Sequence, residues 1–156
     1  MEGVSRLITV LKYIMGQKKY KVGYTSGVYD MFHIGHLNIL ERAKEQCEYL
    51  IVGVTTDELC YQRKKKEPII NEQDRIKIVS AIRYVDLAIF QSNMNKLDII
   101  NKYSVEAVFV GSDWENTPAW NEYEREFKTV GCQVVYLKHT DGISSTILRE
   151  KLNQNG

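Results

Sequence analysis

Residues 49–54 read YLIVGV, an almost unbroken apolar run. A strand must be covered on both faces to use such a run, and that is the environment of a parallel sheet sandwiched between helices. Four further short segments have the same character: 22–25, 86–90 (DLAIF), 106–110 (EAVFV) and 132–137 (CQVVYL). Amphipathic stretches separate them. A helix is predicted over 37–47, and a second starts at Asn71 and Asp74 in a capping-box-like arrangement and runs to 84 with Ile76, Val79 and Ile82 inward. A third covers 94–103 with Leu97 and Ile100 inward. A fourth begins with Thr117 as cap and Pro118 as first helical residue, with Trp120, Tyr123 and Phe127 inward. The last covers 145–152. Strands alternating with helices at these spacings predict an α/β chain, a five-stranded parallel sheet with helices on both faces. The pattern leaves the strand order open.

A chain of 156 residues suits one domain around one core. That domain is expected over 21–156, preceded by an amphipathic helical extension over 1–20. In the extension Leu7, Val10, Leu11 and Ile14 form one apolar stripe, while lysines at 12, 18, 19 and 21 rule out a signal peptide or a membrane span. The stripe predicts packing on the domain or on a second subunit. Attachment to a membrane surface is the lesser reading, since the stripe is narrow and Tyr13 is its one aromatic anchor. The net charge of +1 argues against general nucleic-acid binding or a membrane-surface role, so any basic patch must be local. Cys47, Cys60 and Cys132 are odd in number and lack metal-ligand spacing, which predicts reduced, buried thiols in a cytoplasmic protein.

The chemistry concentrates in residues 22–36, VGYTSGVYDMFHIGH. A short strand leads into a glycine turn, and His33 and His36 follow, three positions apart, just before a helix. Backbone N–H groups, a helix amino terminus and two imidazoles thus meet at the carboxyl edge of a first strand, where open parallel sheets hold anions. Taken alone, such histidines are ordinary polar residues, and Asp30 would serve equally to brace the turn. The run 62–67 (QRKKKE) reads as a solvated loop, or, being beside a strand end, as a source of phosphate-neutralising lysines.

The H-x-G-H at 33–36, preceded by Gly27, Val28, Tyr29 and Asp30, resembles the signature of the nucleotidylyltransferases, particularly their cytidylyltransferase branch. Three more stretches are similar in the same order: KKEPIINEQDR at 65–75, IRYVD at 82–86 and GSDW at 111–114. The segment TDGISST at 140–146 resembles the family's closing phosphate-binding motif. The resemblance runs from about 22 to 152 and implies a Rossmann-like nucleotidylyltransferase fold. It implies His33, His36 and Lys65 as catalytic residues. For the nucleotide it implies Gly27, Val28, Tyr29, Asp30, Lys66, Arg75, Arg83, Asp113, His139, Thr140, Gly142, Ile143, Ser144, Ser145 and Thr146. Lys64 and Lys96 would hold the acceptor phosphate. The chain departs from the family at Ser112, which replaces the first aspartate of its G-D-D-W segment, and, more consequentially, in the closing motif: His139 stands where the motif has arginine, beside Lys138, and Asp141 replaces a glutamate. The positive charge would then come from Lys138 or a protonated His139.

The blander readings remain beside these. Arg75 and Arg83 would form surface pairs with Glu72 or Asp86, Asp113 and Trp114 a turn with a core aromatic, and Ser144 a helix cap. The resemblance implies CMP transfer from CTP to a small alcohol-phosphate, glycerol 3-phosphate being favoured. Phosphocholine, phosphoethanolamine or another polyol phosphate as acceptor, ATP as donor, and an inactive nucleotide-binding regulator are the alternatives. Magnesium would accompany the triphosphate, with no all-protein metal cage, and a homodimer is expected.

Overall fold

The computed structural model describes residues 2–14 and 17–155. An amino-terminal helix, α1 (Glu2–Ile14), precedes five strands: β1 (Tyr20–Gly27), β2 (Cys47–Thr55), β3 (Leu87–Gln91), β4 (Ala107–Gly111) and β5 (Gln133–Leu137). Helix α2 (Ile34–Gln46) joins β1 to β2, while α3 (Asp57–Lys64) and α4 (Glu72–Ser80) lie between β2 and β3. Then come α5 (Lys96–Tyr103), α6 (Pro118–Lys128) and α7 (Ser145–Gln154). The strands are all parallel in the order β3-β2-β1-β4-β5. Chain direction across the sheet therefore reverses between β1 and β4, which opens a crevice at their carboxyl ends. This is the Rossmann-like doubly wound arrangement the sequence predicts.

The apolar run explains why β2 lies inside the sheet, between β3 and β1. Leu50, Ile51, Val52 and Val54 are all fully buried. Leu50, Val52 and Val54 pack with Leu40, Ala43, Val79 and Phe109, whereas Ile51 packs with Tyr24, Ile100, Trp120 and Phe127, so the strand feeds two clusters. All three cysteines are buried and unpaired. Among the described residues no helix is long and apolar enough to cross a membrane.

Two elements differ from expectation. A helix that the sequence pattern does not predict forms over 57–64 and takes in the first part of the run read as a loop at 62–67; it is capped by the Thr56 hydroxyl, which accepts from the Leu59 N–H at 3.2 Å. Asp57 and Glu58 sit in its first turn and Arg63 and Lys64 in its last, a charge order that favours the helix dipole and compensates for its weak apolar periodicity. Helix α4 stops at Ser80 rather than 84, because Ala81, Ile82 and Val85 turn in short-range bonds to Ile78, Val79 and Ile82. Its start holds as expected, with the Asn71 side chain accepting from the Asp74 N–H at 2.9 Å. Of the apolar stripe in α1, Leu7, Val10 and Leu11 are exposed rather than packed on the sheet; the side chain of Ile14 lies outside the described residues.

Candidate active site

The crevice is built outward from the end of β1. After Gly27 the backbone takes positive φ at Tyr29 (57°) and Met31 (49°), conformations that non-glycine residues hold only when their surroundings enforce them. The enforcement is visible. The Tyr29 ring is buried, and the Asp30 carboxylate accepts from the Ile69 and Ile70 N–H groups at 2.8 and 2.9 Å and pairs with Arg149. The Ser145 hydroxyl donates to the Asp30 carbonyl at 2.8 Å. Asp30 thus ties together the first turn, the loop before α4 and the start of α7. Burial would raise its pKa, but the two N–H donors and Arg149 outweigh that and hold it below the usual carboxylate range.

The histidines follow from this turn. His33 caps α2, its Nδ1 accepting from the Gly35 N–H at 3.0 Å, and His36 Nδ1 accepts from the His33 N–H at 3.3 Å. The rings stack with centroids 3.8 Å apart. An accepting Nδ1 carries no proton, so each neutral imidazole keeps its proton on Nε2 and offers that N–H as a donor. Burial, then the neighbouring His33, pushes the His36 pKa down to about 4; burial also lowers that of His33. Gly35 is required here: a Cβ would lie 2.8 Å from the His33 ring.

Beneath the turn lies Arg75, wholly buried. It donates to the carbonyls of Val28 (2.6 Å), Thr55 (2.8 Å) and Ile70 (2.9 Å) and pairs with Asp57 at 2.6 Å. Its predicted contact with nucleotide is corrected by this: every face of the guanidinium serves the architecture, and its partner is Asp57 rather than Glu72. Arg83 is exposed, lies over the Tyr84 ring at 5.1 Å and does not line the crevice, while Asp86 pairs with Lys44. Lys96 is also displaced from its predicted role. It is buried against Trp120 and Tyr123 beside a separate small cavity, where burial lowers its pKa to about 8.

The crevice has a volume of about 440 Å³. Of the expected residues Gly27, Val28, Tyr29, Asp30, His36, Lys64, Lys66, Asp113, His139, Ser145 and Thr146 line it, with His33 stacked against His36. Lys65 does not. It ends α3 in the left-handed conformation (φ 55°), and that reversal carries its side chain back over the Tyr61 ring at 5.7 Å while Lys64 and Lys66 face the crevice. Thr140, Gly142, Ile143 and Ser144 form a strap rather than a wall. Thr140 accepts from Asn38 of α2 at 2.8 Å, and the Ser144 hydroxyl caps α7 by accepting from Ile147 at 3.1 Å. Across the mouth, His139 Nε2 lies 2.6 Å from Asp113 Oδ1, a pairing that passes close over Gly111.

Sequence reasoning overlooked Arg149, Trp114 and Glu67, which also line the crevice. Arg149 was within reach, since it stands one helical turn after Ser145 on the same side of α7. Among the described residues its buried Nε lacks a hydrogen-bond partner. Glu67 and Trp114 stand inside two of the family-like stretches, 65–75 and 111–114, but no spacing there sets them apart as crevice residues.

Comparison with known proteins agrees with this geometry. A family model described as "Cytidylyltransferase-like" matches residues 24–151. The glycerol-3-phosphate cytidylyltransferase of Staphylococcus aureus (strain NCTC 8325 / PS 47) is 39% identical over 129 residues, 82% of this chain and 92% of that protein. That of Bacillus subtilis (strain 168) is 38% identical over 130 residues, again 82% of this chain and 94% of the relative. An FAD synthase from Pyrococcus horikoshii is 34% identical over 113 residues, 72% of this chain and 75% of its own. Among solved structures, the lipopolysaccharide core biosynthesis protein from Thermoplasma volcanium GSS1 has the same fold, with a TM-score of 0.64 and 23% identity over 77% of this chain and 96% of that one. The matched region runs from β1 into α7 and holds the whole crevice, and on that ground the chain belongs to the cytidylyltransferase-like family of nucleotidyltransferases.

Proposed function

We propose that the protein transfers CMP from CTP to glycerol 3-phosphate, giving CDP-glycerol and pyrophosphate. An oxygen of the acceptor phosphate attacks the α-phosphorus, and the bond from that phosphorus to the bridging oxygen breaks as pyrophosphate leaves. Charge spreads over a five-coordinate centre, so positioned donors and cations can supply most of the catalysis without a covalent enzyme intermediate. The observation that carries this reading is the stacked His33 and His36 pair, each with Nδ1 occupied by a backbone N–H and Nε2–H left as the donor. His36 donates to the α-phosphate oxygens, with His33 holding its ring. Lys64 and Lys66 neutralise the attacking and leaving phosphates, and Ser145, Thr146 and Arg149 hold the triphosphate from the other side. Identity to the two glycerol-3-phosphate cytidylyltransferases over nearly their whole lengths supports the choice of CTP and acceptor.

Magnesium would travel with the triphosphate and neutralise part of its charge. Glu67, and the Asp113 oxygen not held by His139, would supply the one or two carboxylates that a phosphate-borne ion needs. Asp30 is already committed to Ile69, Ile70 and Arg149. Buried free thiols support a cytoplasmic setting, and the homodimer implied by family resemblance is read by sedimentation.

The test is pyrophosphate release with magnesium, crossing CTP and ATP against glycerol 3-phosphate, phosphocholine, phosphoethanolamine and other polyol phosphates. Turnover confined to CTP with glycerol 3-phosphate is expected. Turnover with ATP alone would move the protein toward the adenylyl chemistry named for its FAD synthase relative, and CTP binding without turnover would leave a nucleotide-binding regulator.

A further inference from the structure

Helix α1 lies outside the region matched by the family model, which begins at residue 24. It is also unlike every other helix in the molecule. Val4, Leu7, Ile8, Val10 and Leu11 are all exposed, from 46% for Leu11 to 64% for Val4, whereas each other helix leaves at most one large apolar side chain in water. Val4 and Ile8 widen the stripe read from the sequence: at ~100° per residue the five occupy an arc of about 160°. Positions 6 and 12, arginine and lysine, fall at the two borders of that arc.

Charge separates the candidate occupants. Residues 1–21 carry Arg6, Lys12, Lys18, Lys19 and Lys21 against Glu2, a net +4 by sequence, while the whole chain carries only +1. The cations are gathered on the helix and the segment after it, and the rest of the protein is net acidic. Two α1 helices face to face would bring these cations together. A helix this long is about 20 Å from end to end with a stripe about 10 Å wide. The pair would cover on the order of 400 Å², short of the roughly 1,000 Å² that a stable association needs. A bilayer bearing anionic headgroups meets both demands, since acyl chains accept the stripe and phosphates accept the bordering and following cations. We infer that α1 is an interfacial anchor that lays its apolar stripe into an anionic phospholipid surface. Beyond the helix, Lys18 donates to the carbonyl of Lys44, near the end of α2, at 2.9 Å.

The full-length protein is tested by flotation with vesicles of phosphatidylcholine alone and of two parts phosphatidylcholine to one part phosphatidylglycerol. Binding about tenfold stronger on the anionic vesicles, falling as salt is raised, is the expected result. The double variant Leu7→Glu, Leu11→Glu should lose flotation while its pyrophosphate release in free solution stays at the wild-type rate. Three results would overturn the inference: no flotation on anionic vesicles, flotation that survives the double variant, or a wild-type dimer that the double variant disperses, without flotation, in sedimentation velocity. The last would assign the stripe to a second copy.

Discussion

The two walls of the crevice are built in opposite ways. On the β1 and α2 side, Tyr29, Asp30 and Arg75 are buried, the backbone is held at positive φ, and both imidazoles are fixed by main-chain N–H groups. On the other side Lys64, Lys66, Asp113 and His139 are exposed. The histidine wall is set before any ligand arrives, as suits donors that act on charge developing in a transition state. Among the described residues the exposed wall has no such set of main-chain contacts, and in the proposed reaction the phosphates would order its lysines. A basic residue with all three guanidinium nitrogens engaged, such as Arg75, belongs to the first kind, and a lysine free in the crevice to the second.

The difference can be broken most severely at Arg75. Arg75→Met leaves the Val28, Thr55 and Ile70 carbonyls unpaired and should cost about 3–5 kcal/mol in chemical denaturation, with Arg75→Lys failing to restore it. A loss under about 1 kcal/mol would mean the guanidinium is no clamp.

His36→Ala should keep the fold, by circular dichroism, and lose on the order of 3 kcal/mol of transition-state stabilisation, a hundredfold or more in kcat. Near-normal turnover would remove His36 from the chemistry.

Acid attacks the same wall through stability. The folded His36 pKa of about 4 lies below its ordinary 6.5, so the unfolded chain binds the proton more readily between those values. Stability should be full above pH 6.5 and fall by about 3 kcal/mol as pH drops through 4. Asp30, also held below its ordinary value, adds stability above its unfolded pKa that is lost at still lower pH. Urea midpoints from pH 7 to pH 4 report the His36 contribution, their continuation below pH 4 that of Asp30, and His36→Asn should flatten the upper part of the slope.

On the exposed wall the effects shrink. Lys64→Ala and Lys66→Ala should each reduce kcat/KM about tenfold, near 1.4 kcal/mol, while Lys65→Ala stays within about twofold. Equal losses at all three positions would show that the closed complex reorients Lys65. The smallest change is expected from His139→Arg, where an always-charged fork replaces the imidazole beside Asp113 and should lower KM for CTP about threefold. An unchanged KM would place the triphosphate away from that pair.

What could be read from the sequence was what short-range rules govern. The apolar run of β2 requires a doubly covered strand, Asn71 and Ser144 sit where helix caps must, and the glycine turn followed by two histidines puts donors at a helix start. Only the tertiary structure decided which charges are free. Lys64, Lys65 and Lys66 are equivalent as letters, and one left-handed residue at the end of α3 sends the middle one away. Arg75 and Lys96 looked available for phosphate until folding surrounded the first with carbonyls and the second with aromatic rings. Arg149 reaches Asp30 across more than a hundred positions of chain. Strand and helix follow from the spacing of apolar residues along the chain, whereas the availability of a charge depends on neighbours that only the sheet order brings together.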